Sequence, residues 1–183
     1  IQGSVASSYI NTANTAASNN QTGNLYNISF NLGKMVGNRH MLGATFRTSR
    51  THLVGVINSR AESMGTGPVY RYYSGTRPDV SLFFQSSLSY SSYYGTSEGN
   101  PSMFSVSEIL DVHGIRASLG LGVAYVLADR ISFEVGSEYS QGRYWGVYED
   151  LVLRTQQEVI LDRGELVFTF GFTILFEKLR GNE

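Results

Sequence analysis

Residues 166–176 decide the fold and read LVFTFGFTILF. From Leu166 to Phe176 every second residue is large and apolar, and four of these six residues are phenylalanines. The residues between them are Val167, Thr169, Gly171, Thr173 and Leu175. Because successive side chains of a β-strand point to opposite faces, this pattern predicts a strand with one wholly apolar face.

The same alternation recurs along the rest of the chain, most clearly in residues 115–126, where apolar residues alternate with Arg116, Ser118, Gly120 and Gly122. Residues 25–33, 42–47, 80–90 and 131–139 repeat it, and residues 1–9 and 69–73 are weaker examples. This repeated alternation therefore predicts an all-β fold. The eight predicted strands lie near 1–11, 21–36, 40–53, 67–74, 79–95, 105–127, 131–145 and 159–176.

The connections between these strands are predicted to alternate in length. Short turns fall at 37–39, 75–78 and 128–130, and longer polar loops fall near 12–20, 54–66, 96–104 and 146–158. Short turns at one end and long loops at the other are typical of a transmembrane antiparallel up-and-down β-barrel, with the short turns in the periplasm. An even number of strands then predicts that both termini are periplasmic.

Composition agrees with a single barrel domain over residues 1–176, followed by a short periplasmic tail at 177–183. Hydrophobic residues make up 42% of the 183 residues, yet the mean hydropathy is only −0.13, because apolar and polar residues are interleaved. The longest apolar run, 119–128, is too short for a membrane-spanning helix. The N-terminus carries no features of a signal peptide, so we expect a processed chain. With no cysteine and a net charge of −1, disulfides, thiolate chemistry and a nucleic-acid partner are not expected.

The polar faces distinguish a lipid-facing barrel from a soluble one. They are rich in Gly, Ser, Thr and Asn, whereas a water-facing sheet carries charges densely. A narrow lumen needs small residues and a few charges that neutralise one another. We therefore predict a filled lumen with a balanced charge network, and a soluble ligand-binding barrel is the structural alternative. The predicted network consists of Arg47, Arg71, Arg116, Glu134, Glu138 and Glu165.

Two aromatic pairs at predicted strand ends, Tyr93-Tyr94 and Tyr144-Trp145, predict an interface girdle of the kind that flanks a membrane. Stacking on a sugar is the alternative interpretation of these rings. Neither His40 nor His52 has the spacing to other ligands that a metal site requires. We predict neither a metal nor a cofactor.

One group of residues has the chemistry needed for catalysis: Ser107, Asp111 and His113 share one face of the sixth predicted strand. A serine, a base and a carboxylate are the components of a hydrolytic triad. However, Ser107 lies three same-face steps from His113, roughly 20 Å along a strand. That distance is far outside hydrogen-bond reach, so we predict no catalytic residue.

The last strand also resembles the C-terminal signal by which outer-membrane barrels are recognised by the barrel-assembly machinery. Thr169, Gly171, Ile174 and Phe176 occupy its polar, glycine, hydrophobic and terminal aromatic positions. The signal normally ends a chain, whereas here seven residues follow it.

Residues 67–73, the turn before Val80 and residues 122–130 resemble the small outer-membrane barrel domain common in Bacteroidota, akin to OmpX and the OmpA membrane domain. This resemblance implies the fold and a place in the outer membrane of a Gram-negative bacterium, and implies little about activity.

The predicted function is that of a non-enzymatic structural or binding module, either an accessory subunit of a larger outer-membrane complex or a surface-interaction protein. The expected partners are outer-membrane lipid and lipopolysaccharide, the barrel-assembly machinery and other outer-membrane proteins. A lipid A- or glycan-modifying enzyme that uses Asp111 and His113 is one alternative. A narrow solute channel is another.

Overall fold

The computed structural model describes residues 2–14, 21–37, 39–54, 57–75, 79–99, 107–128 and 131–175. These residues form eight β-strands, which agrees with the predicted number. Among them, no helix has the length and hydropathy needed to span a membrane. The strands are β1 (Gln2–Asn14), β2 (Gln21–Val36), β3 (His40–Val54), β4 (Ile57–Ser74), β5 (Val80–Gly99), β6 (Ser107–Ala128), β7 (Ile131–Asp150) and β8 (Thr155–Leu175).

Each strand pairs antiparallel with the next, and β1 pairs with β8, so the sheet closes into an up-and-down barrel. The closing pairs run from Gln2↔Leu175 to Ala6↔Gly171. Following the paired residues once around the barrel shifts the register by about ten residues, which tilts the strands by roughly 35–45° from the barrel axis. The predicted all-β antiparallel barrel is confirmed.

Two predicted loops are wrong, because the strands are longer than the apolar alternation indicated. Residues 57–66 belong to β4, and the predicted loop 146–158 shrinks to the turn 151–154 between β7 and β8. These segments show no alternation of apolar and polar residues, because outward positions such as Asn58 and Arg60 are polar too. Backbone pairing nevertheless continues, as in Arg60↔Thr96 and Glu149↔Gln156.

The outer wall from β2 to β8 carries an apolar belt, which confirms that the apolar faces of these strands point outward. On β6 the belt runs from Tyr125 to Ile115. Because the strand is tilted, these residues span a height of roughly 25 Å along the barrel axis. Every strand from β2 to β8 contributes exposed large apolar residues to it. They include Phe30, Leu32, Leu42, Phe46, Leu82, Phe84, Leu88, Leu119, Leu121, Phe133, Val135, Phe168, Phe170 and Phe172.

The belt ends at a row of polar residues toward the barrel end that lies opposite the termini, which we call the loop end. On each strand from β3 to β8 the first or second outward position beyond the belt is polar. The strand tilt brings these residues to nearly one height, and we call this row, which extends from β3 to β8, the polar ring. The ring consists of Arg50, Glu62, Ser92, His113, Arg143 and Asp162.

The barrel interior has the opposite character. Arginine and glutamate side chains are buried there, including Arg71, Glu134 and Glu138, which are 4%, 7% and 7% exposed. Outside, Leu121 and Phe168 are 65% and 62% exposed. This polarity is the reverse of a water-soluble protein, in which charged groups are rarely buried and large apolar groups form the core.

Strand β4 approaches β5 closely at Gly67-Pro68. The ladder pairs Thr66 with Tyr90 and resumes at Val69 and Ser87, since Pro68 has no N–H to donate. A Cβ atom on Gly67 would lie 2.0 Å from the carbonyl oxygen of Leu88, so no other residue fits without a backbone shift. The short Pro68 side chain leaves the outer wall hollow along β4.

Candidate functional site

The layer of the interior nearest the termini is built on one buried ion pair. The Arg71 Nη1 atom lies 2.8 and 2.9 Å from the two carboxylate oxygens of Glu134. The Gln85 Oε1 atom accepts hydrogen bonds from Arg71 at 2.6 and 2.9 Å, and Thr173 donates to Glu134. The Arg71 guanidinium also lies 4.5 Å from the ring centroid of Phe83. Every charge in this layer is therefore paired and hydrogen-bonded, as a buried charge must be.

Two further ion pairs follow toward the loop end. Arg47 and Glu138 form a two-pronged contact, with Nη2 2.8 Å from Oε2 and Nη1 bonded to Oε1. Gln85 joins this layer to the first, because its Nε2 atom lies 3.3 Å from Glu138 Oε2. Above them, Arg116 Nη2 lies 2.9 Å from Glu165 Oε2. The three layers form one column of balanced charge through the lumen.

The space beside the second and third ion pairs is small. A cavity of about 30 Å³ is bordered by Arg47, Arg116 and Glu138, roughly the volume of one water molecule. Eight-stranded barrels of this kind are narrow enough for side chains to fill the interior. The described interior is therefore packed at the level of the ion pairs.

All six charged residues that the sequence analysis assigned to the lumen point inward, and the structure joins them in three pairs. Three further polar side chains are buried in the lumen and were not predicted: Gln85, Thr173 and Asn31. Asn31 Nδ2 donates to Gln85 Oε1 at 3.4 Å. Their signal was present, since each occupies a polar position on the inner face of an alternating strand.

The predicted aromatic girdle is wrong for Tyr93 and Tyr144. Tyr94 and Trp145 face outward and are 47% and 40% exposed, whereas Tyr144 is buried inside the barrel. The Tyr93 ring packs against Arg163, whose guanidinium lies 5.4 Å from the ring centroid. The reason is the two-residue period of a strand: neighbouring residues cannot both face the membrane interface.

The residues considered for catalysis do not form a site. Asp111 and His113 are exposed on the outer face of β6, and no hydrogen bond joins these two described side chains. The His113 ring instead packs edge-on against Trp145, with centroids 5.5 Å apart, and 6.1 Å from the Tyr90 ring. Ser107 is the first residue of β6, far along the strand from His113.

The histidines offer no metal site either. His40 Nδ1 lies 2.9 Å from the hydroxyl oxygen of Tyr70, and its ring packs against Tyr70 and Tyr72. His52 is exposed on the outer face of β3. Within the ranges that the structure covers, no three metal-binding side chains come together.

The residues of the predicted assembly signal occupy the end of β8. Thr169 and Gly171 lie on the inner face, whereas Ile174 faces outward and is 38% exposed. Phe176 and the tail 177–183 lie outside the described residues. Recognition of this segment by the assembly machinery stays a prediction.

At the loop end, the turn between β7 and β8 forms an exposed apolar tip. Its residues lie within the predicted loop 146–158. The Asp150 carboxylate accepts hydrogen bonds from the N–H groups of Val152 and Leu153, both at 2.9 Å. Arg154 adopts a left-handed conformation with φ of 55°, which closes the turn. The side chains of Leu151, Val152 and Leu153 are 44%, 47% and 69% exposed.

The rest of this hairpin is held by backbone pairing along its length and by links to β6. The Leu151 N–H donates to the Ser107 carbonyl oxygen at 2.8 Å. A hydrogen bond to Glu108 raises the pKa of Tyr148 to about 12. The tip lies seven residues beyond Arg143 of the polar ring, roughly 15–20 Å along the barrel axis.

Comparisons with known proteins show the fold. OprG, an outer membrane protein from Pseudomonas aeruginosa, superimposes with a TM-score of 0.54 at 11% identity, and the match covers 94% of each chain. Neisserial surface protein A matches with a TM-score of 0.52 at 14% identity over 96% of each chain. A major outer membrane protein from Thermus thermophilus matches with a TM-score of 0.52 at 10% identity, covering 95% of this chain and 99% of that one. No protein-family model and no curated protein matches the chain.

Proposed function

We propose that this chain is an integral barrel of the bacterial outer membrane that acts as a non-enzymatic structural or binding module. The observation that carries the proposal is its reversed polarity: paired charges lie in the interior, and an apolar belt covers the outer wall from β2 to β8. An outer wall of this kind is stable only against lipid. The height of the belt, roughly 25 Å, matches the apolar band of outer-membrane barrels.

The strand ends support one orientation. The strands extend well beyond the polar ring at the loop end, whereas on the side of the termini they end close to the belt. Outer-membrane barrels place their short turns in the periplasm. We therefore place both termini in the periplasm and the loop end outside the cell. The similarity to OprG and to Neisserial surface protein A supports a fold suited to that location.

The interior and the outer face both argue for binding rather than for chemistry or transport. A column of three ion pairs blocks the lumen, which disfavours a solute channel. Asp111 and His113 lie apart on the outer wall, which disfavours a lipid A- or glycan-modifying enzyme. The specific kinship with OmpX and the OmpA membrane domain, and the Bacteroidota origin, belong to this proposal as well.

The binding surface that we assign to this module is the hairpin tip, residues 150–155. Three consecutive aliphatic side chains are exposed there, and Ile160 below them is 68% exposed. Single exposed apolar residues are ordinary on a protein surface, whereas a contiguous group indicates an interaction site. Since the tip lies beyond the membrane, lipid does not cover it. A protein partner at the cell surface, or another subunit in the outer membrane, fits such an apolar projection.

Replacing Leu151, Val152 and Leu153 together by serine should release this partner and leave the barrel intact. We expect wild-type protein extracted in mild detergent to migrate in native electrophoresis as a complex larger than the monomer. The triple variant should migrate as a monomer, with an unchanged heat-modifiable shift, because the substituted side chains are exposed at the hairpin tip, away from the ion pairs of the lumen.

Val54→Ser is the matched control, since Val54 is 49% exposed at the loop end of β3, away from the hairpin. It should leave the complex unchanged. Migration of the wild-type chain as a lone monomer would count against the complex. An equal effect of Val54→Ser would show that the tip has no special part in it.

A further inference from the structure

An apolar groove on the outer wall ends directly below a cluster of charges on the polar ring. The groove has a volume of about 460 Å³ and runs over Thr48 and Thr66, whose side chains are short. Phe46, Met64 and Tyr90 form its walls, and they are 46%, 67% and 56% exposed. Its shape follows from the strand pairs, since Phe46, Thr66 and Tyr90 are neighbours across β3, β4 and β5.

A second hollow begins at Pro68 on β4, next to the groove, and runs across β5 and β6 to β7. It has a volume of about 730 Å³ and lies over Pro68, Ser86 and Ala117, three outward positions with small side chains. Leu88 and Leu119 border it. Thr66 of the groove and Pro68 of the second hollow are successive outward positions of β4, so the two hollows adjoin there. A linear acyl chain is narrow and apolar enough to lie in them.

The cluster above the groove carries two guanidinium groups and one carboxylate. Arg50 Nε lies 3.4 Å and Arg60 Nη2 lies 2.6 Å from the same oxygen of Glu62. Hydrogen bonds from Arg60 hold the pKa of Glu62 below its usual range, so the carboxylate is ionised at neutral pH. The cluster therefore keeps one net positive charge. All three side chains are about half exposed, so the two guanidinium groups are accessible to a ligand from outside the barrel.

The position of the cluster selects the ligand. Arg50 is the next outward residue after Thr48, and Glu62 is the next after Met64, so the charges begin where the groove ends. In a membrane the acyl chain contributes little selectivity, because bulk lipid is as apolar as the groove. The charged head group must provide it. Arginine forms paired hydrogen bonds with phosphate, and basic side chains at a membrane surface attract anionic lipids.

We infer that the Arg50–Glu62–Arg60 cluster and the groove below it form a binding site for lipid A, the phosphorylated and multiply acylated anchor of lipopolysaccharide. The inference rests on the proposed outer-membrane location, which puts the loop end of the belt in the leaflet that holds this lipid. A phosphate group of the glucosamine head binds Arg50 and Arg60. An acyl chain of the same molecule lies along Thr66 and Pro68.

The test uses the full chain folded in uncharged detergent micelles, with bound lipid counted by native mass spectrometry. The probes are bisphosphorylated hexa-acyl lipid A, the same lipid after removal of both phosphates, and phosphatidylglycerol. We expect lipid A to bind at least about tenfold more tightly than either of the others. Arg50→Gln with Arg60→Gln should weaken lipid A binding by about tenfold, because both phosphate ligands lose their charge.

Two further variants separate this site from a general effect of charge. Glu62→Gln should tighten lipid A binding several-fold, because it removes the negatively charged carboxylate that competes with phosphate for the two arginines. Arg143→Gln, on the same ring but paired with Asp162 on the far wall, should change the affinity by less than about twofold. If the double variant does not fold, Arg60→Gln alone and the three lipids on wild-type protein still decide the question.

Equal affinity for phosphatidylglycerol would overturn the assignment to lipid A and leave only a general attraction for anionic lipid. Weakening by Arg143→Gln as strong as that of the double variant would overturn the location of the site. Failure of the proposed membrane location is distinguishable, because it would appear in cell fractionation and would not depend on binding in micelles.

Discussion

Replacing Arg71 by alanine should destabilise the folded barrel by about 3–5 kcal/mol, the cost of leaving a buried charge without its partner. The Arg71 side chain is 5% exposed and that of Glu134 is 9% exposed, so water cannot replace the lost contacts. The Gln85 Oε1 atom also loses the two hydrogen bonds from Arg71 and keeps the longer one from Asn31. Urea-induced unfolding of the protein in lipid vesicles, followed by the heat-modifiable gel shift, measures the change in the free energy of unfolding.

The matched control is Arg143→Ala, which breaks an ion pair with Asp162 on the outer surface. These side chains are 68% and 60% exposed, so the loss should be at most about 1 kcal/mol. A double variant, Arg71→Met with Glu134→Leu, should lose less stability than the sum of the two single changes, because neither charge is left alone. If Arg71→Ala cost no more than Arg143→Ala, the Arg71 pair would not be buried.

Replacing Leu121 by arginine should destabilise the inserted barrel by about 2–4 kcal/mol, the cost of a charge on the lipid-facing wall near the middle of the belt. Leu121 is 65% exposed, so in a water-soluble barrel the same change would be within about 0.5 kcal/mol of neutral. The two interpretations of the outer wall therefore predict different results for one substitution. The same unfolding assay in vesicles measures it.

Leu153→Arg supplies the control, because Leu153 is 69% exposed at the hairpin tip, beyond the belt. It should leave the free energy of unfolding unchanged, since the tip lies outside the lipid. A large effect at Leu153 together with a small one at Leu121 would contradict the position that we assign to the membrane.

The fold could be predicted because alternation along a strand depends only on the neighbouring residues. The sequence of residues 166–176 alone shows which face of the strand is apolar, and β6 shows the same alternation of apolar and polar residues from Ile115 onward. The ends of β4 and β7 could not be predicted in this way. Beyond the polar ring both faces meet polar surroundings, so residues such as Asn58 and Arg60 carry no alternating signal, although their strands continue to pair.

The members of the lumen network were predictable, whereas their pairing was not. Arg71 on β4 and Glu134 on β7 are three strands apart, and only the closure and tilt of the barrel bring them together. The proximity of Arg50 and Arg60 could not be predicted either, because Arg60 lies in a segment that was predicted to be a loop. The inward turn of Tyr93 and Tyr144 was predictable from the strand period, which allows only one residue of each adjacent pair to face outward.

Fluorescence quenching of a single tryptophan tests most directly whether the outer wall faces lipid. Trp145 is the one tryptophan in the chain, so Trp145→Phe with Leu121→Trp moves the reporter to the middle of the belt. In lipid vesicles we predict that the relocated indole is quenched strongly by lipids brominated along the acyl chain and is protected from aqueous iodide. Strong quenching by iodide, with no effect of brominated lipid, would contradict a lipid-facing belt and with it the outer-membrane barrel.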